Sequence, residues 1–291
     1  MYLQLERSMS EHTLDAYLRD IRKLADFVLA LDPDKNTVCI PPQHIKSFLK
    51  TLFELGLAER TQARILSGIR SFYKYLLLED VVEKDPTEQI DSPKLRRKIP
   101  EVLSYDEVVA LLEAIDLSTT YGHRDRAMLE TLYACGLRVS ELTGLRISNI
   151  YFDIGFIRVI GKNNKERIIP IAPDALKHIR LYMDGIRRKL PVIDPGASDT
   201  LFLNLKGKGI SRISVFNMIR KYAGLAGITK SVSPHTFRHS FATHLVEGGA
   251  DLRIVQQMLG HESILTTEIY THLDREYLRE TILQFHPQNK R

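Results

Sequence analysis

The sequence predicts a mainly helical protein with one small antiparallel β-sheet, an α+β fold divided into two domains. Apolar residues recur at helical spacing in the first part of the chain, whereas residues 152–171 are rich in β-branched residues. Between these regions, residues 85–100 contain three prolines and little periodicity, which is typical of a linker. We therefore predict a helical domain over residues 1–84, a linker over 85–100 and a larger domain over 101–291.

Three amphipathic helices account for the first domain. Ser8-x-x-Glu11 can form a capping box for the first helix, and Pro41-Pro42 opens the second. The apolar positions of the three helices are Leu14, Tyr17, Leu18, Ile21, Leu24 and Val28; Ile45, Phe48, Leu49 and Leu52; and Ile65, Leu66, Ile69, Phe72, Tyr73 and Leu76. A small helical bundle is the simplest arrangement that buries these three stripes.

The second domain begins at another capping box, Ser104-x-x-Glu107, and Gly136 is expected to end a helix as its C-cap. Residues 156–160 and 167–171 read as the strands of a hairpin around the turn 161–165, and residues 201–203 are expected to add a third strand. The rest of this domain reads as helical.

Composition narrows the possible classes of protein. The chain has 291 residues, a net charge of +5, a pI of about 9.1 and two cysteines, Cys39 and Cys135, which fit no metal-ligand pattern. This mild basic excess permits nucleic acid binding without requiring it. We expect no disulfide framework, no signal sequence and no membrane span, and therefore a cytoplasmic protein.

Six residues form the candidate catalytic set, and their order along the chain matters. They are Arg138, Lys162, His235, Arg238, His261 and Tyr270. Cationic and hydrogen-bond-donating groups are followed by one phenolic nucleophile, with no carboxylate cage for a metal. This order indicates phosphoryl transfer to a tyrosine without a metal ion or other cofactor.

Local sequence supports parts of this set. Glu141 lies three residues after Arg138, near enough to brace a phosphate-binding guanidinium. Ser233 can cap a helix that begins at Pro234, so His235 and Arg238 would lie in a first turn that favours anions. In the hairpin turn, Lys165 is a rival to Lys162.

Two groups of residues, a set of histidines and a basic stretch of the linker, each allow more than one interpretation. His235, His239 and His244 have a spacing that could suggest a metal site, but no carboxylate or cysteine completes it and Arg238 would repel a cation. The basic linker residues are either a solvated charge run or DNA phosphate contacts. They are Lys94, Arg96, Arg97 and Lys98.

The six-residue set resembles the tyrosine recombinases of the phage integrase family, and the motif wording resembles the Xer type. The resemblance implies that Arg138, Arg238 and His261 grip the scissile phosphate, with Lys162 as acid toward the departing 5′-oxygen. It further implies that His235 assists proton transfer and that Tyr270 forms a 3′-phosphotyrosyl link. Lys162 is favoured over Lys165 because it follows the strand-terminal glycine.

The resemblance also implies a mode of assembly. Family members hold double-stranded DNA in a C-shaped clamp between a helical domain and the catalytic domain, and four protomers act on two duplexes. The expected partners are a dif-like site, a second copy or a paralogous recombinase and, left open, a septal DNA translocase, with no membrane. The true N-terminal start is also left open, because family members begin a helix earlier.

A tail helix is expected to carry a final apolar stripe, formed by Leu278, Ile282 and Phe285. This stripe would pack on its own core or, as the resemblance implies, on a neighbouring protomer.

The sequence leaves three other functions open. They are a mobile-element integrase or transposase, a type IB topoisomerase-like enzyme, and a non-catalytic DNA-binding regulator.

Overall fold

Two separate hydrophobic cores divide the chain into two units, residues 1–98 and 99–291. In this computed structural model, the described residues are 11–34, 36–93, 101–161, 164–260 and 272–289. Most of the chain is helical and one three-stranded antiparallel sheet is present, so the fold class predicted from the sequence is confirmed. No helix within these described ranges combines the length and apolar character needed to cross a membrane.

Among its described residues, 11–34 and 36–93, the first unit has the helices α1 (Glu11–Leu31), α2 (Pro42–Glu54) and α3 (Glu59–Leu78). The predicted apolar positions supply most of its core, although Leu18 is exposed. The capping residue proposed for α1, Ser8, lies outside the described residues. The buried carboxylate of Asp20 pairs with Arg64, which ties α1 to α3.

The second unit packs its helices around a central buried helix. The helices are α4 (Tyr105–Glu113), α5 (Gly122–Cys135), α6 (Val139–Thr143), α7 (Pro173–Tyr182), α8 (Arg212–Leu225), α9 (Pro234–Gly248), α10 (Leu252–Leu259) and α11 (His272–Phe285). All residues from 127 to 135 on α5 are buried, and α5 packs against α7 and α9. This central helix ends two residues before Leu137, so it fixes where the Arg138 segment begins.

Sequence-encoded caps set several helix ends as predicted. Ser104 and Glu107 form the capping box of α4, and Ser233 caps α9 with Pro234 at its first position. Gly136 is the C-cap of α5, with φ of 56° and ψ of 37°. These caps satisfy backbone groups that a helix end leaves unpaired.

The sheet contains the predicted hairpin and a different third strand. Strand β1 (Ile150–Tyr151) pairs antiparallel with β2 (Phe156–Ile160), which pairs antiparallel with β3 (Glu166–Pro170). The prediction of a strand at residues 201–203 is wrong. That apolar run is buried in the core but makes only an isolated bridge, between Leu203 and Gly209.

The tail helix α11 packs on its own unit. Leu278 and Ile282 are buried in the core of the second unit, and Phe285 packs against it. Beyond the helix, Gln288 Nε2 donates to the buried Glu130 Oε2 at 2.6 Å. In this structure of a single chain the apolar stripe packs intramolecularly, and docking on a neighbouring protomer stays a prediction.

Gly136 allows a test of how tightly the α5 end is packed. We expect Gly136→Ala to lower the free energy of unfolding by about 3 kcal/mol, because a left-handed backbone costs roughly 1–2 kcal/mol and overpacking costs roughly 1–3 kcal/mol. Its added Cβ would lie 2.4 Å from the Phe241 ring. Gly227→Ala is the matched control, since Gly227 also has a positive φ but no atom within 4 Å of the added Cβ. Urea unfolding of both variants measures the difference, and equal losses would contradict the packing argument.

Candidate active site

The described residues include four of the sequence-predicted site residues, Arg138, Glu141, His235 and Arg238. The other catalytic candidates, Lys162, His261 and Tyr270, lie outside the described residues. The four basic linker candidates lie outside them as well; they are Lys94, Arg96, Arg97 and Lys98. The described part of the site is therefore its arginine cluster together with the histidines of α9.

Arg138 lies at the start of α6 and is held there by Glu141. Its backbone N–H donates to Glu141 Oε2 at 2.8 Å, and its Nη1 donates to Oε1 at 2.9 Å. The Arg138 side chain is 39% exposed, whereas that of Glu141 is 1% exposed. A buried carboxylate thus fixes a guanidinium that still reaches solvent, as binding to a phosphate oxygen requires.

Arg238 reaches the same carboxylate from the first turns of α9. Its Nη1 donates to Gly136 O at 2.8 Å, and its Nη2 donates to Leu259 O. Its Nη1 also lies 3.9 Å from Glu141 Oε2, and the side chain is buried. A guanidinium has five N–H donors, and these two carbonyl bonds use two of them.

A third arginine, Arg167 on β3, belongs to the cluster and was not among the predicted residues. Its Nη1 and Nη2 donate to the two oxygens of Glu141 at 2.7 and 2.8 Å, and its Nε donates to Met258 O at 2.8 Å. One sequence signal could have found it. Arg167 is two residues from Ile169 and so lies on the same face of its strand, which is buried at both positions. A charged residue on that face needs a partner.

Three consecutive carbonyls at the end of α10 accept hydrogen bonds from the three arginines. Met258 O and Leu259 O accept from Arg167 and Arg238, and Gly260 O accepts a longer bond of 3.4 Å from Arg138. The last carbonyls of a helix have no partner within it, and they form the negative end of its dipole. Candidate His261 follows this anchored segment in the sequence.

The cluster carries an excess of positive charge. Three guanidiniums surround the carboxylate of Glu141. Burial and the nearby charge of Arg138 lower the pKa of Arg238 to about 10, so it remains protonated at neutral pH. Burial alone would raise the pKa of Glu141, but bonds from Arg167 and Arg138 outweigh it and lower that pKa. An excess of two positive charges is therefore available to an anion.

The histidines of α9 have separate surroundings. His235 is exposed and stacks on His239, with ring centroids 4.2 Å apart. His244 is buried, and its Nδ1 lies 2.8 Å from the hydroxyl of Tyr133. Within the ranges that the structure describes, no three His, Cys, Asp or Glu residues form a group that could hold a metal ion.

Known families and proteins match almost the whole chain. The phage integrase family matches residues 101–276, and the phage integrase N-terminal SAM-like domain matches residues 1–80. Tyrosine recombinase XerD of Chlorobaculum tepidum is 45% identical over 291 residues, covering 98% of this chain and 94% of the relative. Tyrosine recombinase XerD of Staphylococcus aureus strain N315 is 44% identical over 286 residues, covering 98% and 96%.

The solved structures that are similar to this chain include recombinases and integrases. XerA recombinase is 31% identical with a TM-score of 0.51, covering 98% of this chain and 95% of that one. XerH recombinase bound to its difH substrate is 25% identical with a TM-score of 0.68, covering 91% and 77%. A lambda integrase tetramer on a Holliday junction shares the fold, at 19% identity and a TM-score of 0.69, covering 93% and 76%. The chain therefore belongs to the phage integrase family and is a Xer-type tyrosine recombinase, an enzyme that recombines DNA.

Proposed function

We propose that this recombinase cuts and rejoins DNA through a 3′-phosphotyrosyl intermediate on Tyr270. In this step the Tyr270 oxygen loses its proton and attacks phosphorus, and the bond from phosphorus to the 5′-oxygen breaks. Lys162 donates a proton to the departing 5′-oxygen, and His235 assists proton transfer by accepting the proton that Tyr270 loses. Reversal by a 5′-hydroxyl from another duplex joins the exchanged strands. Because the phosphotyrosyl link keeps the phosphorus esterified, the step requires no ATP.

The observation that carries this proposal is the excess of two positive charges around Glu141. A phosphodiester has one negative charge, and attack by a tyrosinate oxygen raises it to two in the pentacoordinate transition state. Fixed guanidiniums therefore stabilise the transition state more than the ground state, which is the condition for catalysis. We assign the contacts with the non-bridging phosphate oxygens to Arg138, Arg238 and His261.

The biological substrate that we propose is a dif-like chromosomal site, where recombination resolves chromosome dimers in the cytoplasm. The XerH relative is a site-specific recombinase bound to a difH substrate, and the lambda integrase relative is a tetramer on a Holliday junction. By analogy, four protomers of this chain, alone or with a paralogous recombinase, would act on two double-stranded sites. Activation by a septal DNA translocase belongs to the same proposal.

We also propose which function each part of the chain performs. Residues 1–84 would form the helical DNA-binding domain, residues 85–100 the linker, and residues 101–291 the catalytic domain with its tail helix. The two domains would close around DNA as a clamp. The basic linker residues would contact phosphates on the DNA between them.

Replacement of the nucleophile tests the central step. Tyr270→Phe should bind DNA normally and form no covalent adduct, since only the hydroxyl is lost. The assay uses a nicked suicide substrate, with adducts scored on a denaturing gel in excess EDTA. The unmodified protein should form the adduct under these conditions because cationic side chains replace a metal. An adduct in the variant would exclude Tyr270, and loss of wild-type activity in EDTA, restored by a divalent ion, would revive the histidine–metal alternative.

The arginine and linker roles predict opposite effects on rate and affinity. Arg138→Ala should slow cleavage by about 100-fold or more, because one preorganised donor to developing charge is lost, and it should weaken binding much less. Arg96→Ala and Arg97→Ala should instead weaken binding and reduce its dependence on salt, because phosphate contacts release counterions. Single-turnover cleavage and binding titrations at several salt concentrations measure both. Equal effects of both kinds of variant on binding alone would contradict this division.

A plasmid assay separates site-specific recombination from the alternative activities. We expect excision from a supercoiled plasmid that carries two directly repeated dif-like sites from the same genome, in the presence of the paralogous recombinase if one exists. A plasmid without these sites is the control and should remain supercoiled. Relaxation of both plasmids would indicate a type IB topoisomerase. Recombination only at the ends of a mobile element would exclude the chromosomal role, and binding without cleavage would indicate a regulator.

A further inference from the structure

We infer that Arg167 is a positioning residue for the recombination reaction, one that sets the catalytic groups without touching DNA. This inference deepens the proposed function and rests on it. Arg167 is 6% exposed, and its guanidinium nitrogens donate to Glu141 and to Met258 O. All three nitrogens are therefore engaged inside the protein, which distinguishes Arg167 from the solvent-reaching Arg138.

Through Glu141, Arg167 controls the orientation of Arg138. Both oxygens of Glu141 receive a bond from Arg167, at 2.7 and 2.8 Å, and the same oxygens accept from the Arg138 side chain and backbone. A bidentate pair fixes the plane of the carboxylate as well as its position. Without that pair, Glu141 could rotate about its side-chain torsions, and the Arg138 guanidinium would follow it.

Arg167 also holds the backbone beside the other catalytic candidates. Its bond to Met258 O anchors the end of α10, three residues before His261. At Gly260, which has a φ of +64°, an added Cβ would lie 3.2 Å from the Arg167 side chain. At Gly161, the residue before Lys162, an added Cβ would lie 3.5 Å from both Arg167 Nη1 and Glu141 Oε1. The ion pair thus bonds directly to Arg138 and to Met258 O, and it lies beside Gly161, the residue before Lys162.

Stability alone does not explain why a charged pair occupies this place. Removing two charges from water is costly, and buried ion pairs are often replaced by apolar residues with no loss of stability. The pair does supply a fixed geometry that apolar side chains cannot, because each guanidinium bond has a defined direction. A displacement of about 1 Å in a catalytic group can slow a reaction about 100-fold. Positioning is therefore the role that the contacts favour.

The test is a double-mutant cycle on the cleavage rate. Arg167→Lys keeps the charge but cannot bond both Glu141 oxygens and Met258 O together. We expect it to slow adduct formation on the suicide substrate by about 10- to 100-fold, with the dissociation constant for DNA changed less than about threefold. Glu141→Gln should have a similar effect. If Arg167 acts through Glu141, the double variant should be about as slow as the slower single variant.

Arg187→Lys is the matched control. Arg187 donates to a series of backbone carbonyls, Ser198 O, Thr200 O and Leu201 O, but that segment leads to no catalytic candidate. We expect it to lower the melting temperature without slowing cleavage at assay temperature. Comparable slowing by Arg187→Lys would show that any lost arginine anchor has this effect and would overturn the inference.

A second variant guards against simple unfolding. Arg167→Met combined with Glu141→Leu replaces the buried pair with apolar residues and should fold, bind DNA and cleave at least about 10-fold more slowly. A wild-type cleavage rate in this variant or in Arg167→Lys would overturn the inference. It would also be overturned if the rate losses of the two single variants multiplied in the double variant, or if DNA affinity and cleavage rate fell equally. Unfolding of both variants would assign Arg167 to the fold and overturn it as well. Failure of the proposed function is distinguishable, because the unmodified protein would then form no Tyr270-dependent adduct.

Discussion

The candidate active site depends on one buried carboxylate. The Glu141 side chain is 1% exposed, and Arg138 and Arg167 both bond to it while Arg238 lies 3.9 Å away. Three like charges would otherwise repel one another in a region of low dielectric constant. The carboxylate reduces that repulsion without neutralising it, because one negative charge faces three positive charges. The remaining excess is what makes the cluster suitable for a phosphoryl group.

In such a cluster, the charged groups are brought together and oriented when the protein folds, before a substrate binds. Arg238 is buried before any substrate arrives, and its lowered pKa of about 10 reflects burial and the charge of Arg138. Its desolvation is offset by hydrogen bonds to Gly136 O and Leu259 O. When a phosphodiester enters, little further reorganisation of this guanidinium is needed. Preorganised donors of this kind account for much of the rate enhancement in enzymes that stabilise developing charge.

Local signals predicted much of the fold and part of the site. The caps at Ser104, Gly136 and Ser233 depend on neighbouring residues alone, and the structure has all three. The hairpin also follows from its own sequence. The prediction of a strand at residues 201–203 was wrong because a short buried apolar run has the same composition whether or not it pairs with another strand. Strand β1 is only two residues long, too short for any periodicity.

Arg167 was missed for a different reason, which is that its role is not local. In the sequence it is the first residue of the predicted strand 167–171 and directly follows charged residues of the hairpin turn, where exposed side chains are common. Its partners Glu141 and Met258 lie 26 and 91 residues away in the chain. The packing of α10 beside β3 brings Met258 to Arg167, and the fold of the second unit brings Glu141 on α6 to the same guanidinium. A strand position two residues from Ile169 indicates burial, but it cannot identify the partner.

The choice of arginine at all three positions follows from the number and direction of its donors. A lysine ammonium is a point charge and cannot hold two separated acceptors in one plane. Arg238 uses two of its donors on backbone carbonyls, and the bond to Leu259 O anchors the end of α10. Arg138 divides its donors between Glu141 and Gly260 O, and its side chain still reaches solvent on the open side of the site. Arg167 directs all three of its nitrogens inward, which separates the residue that positions the cluster from those that remain able to bind phosphate.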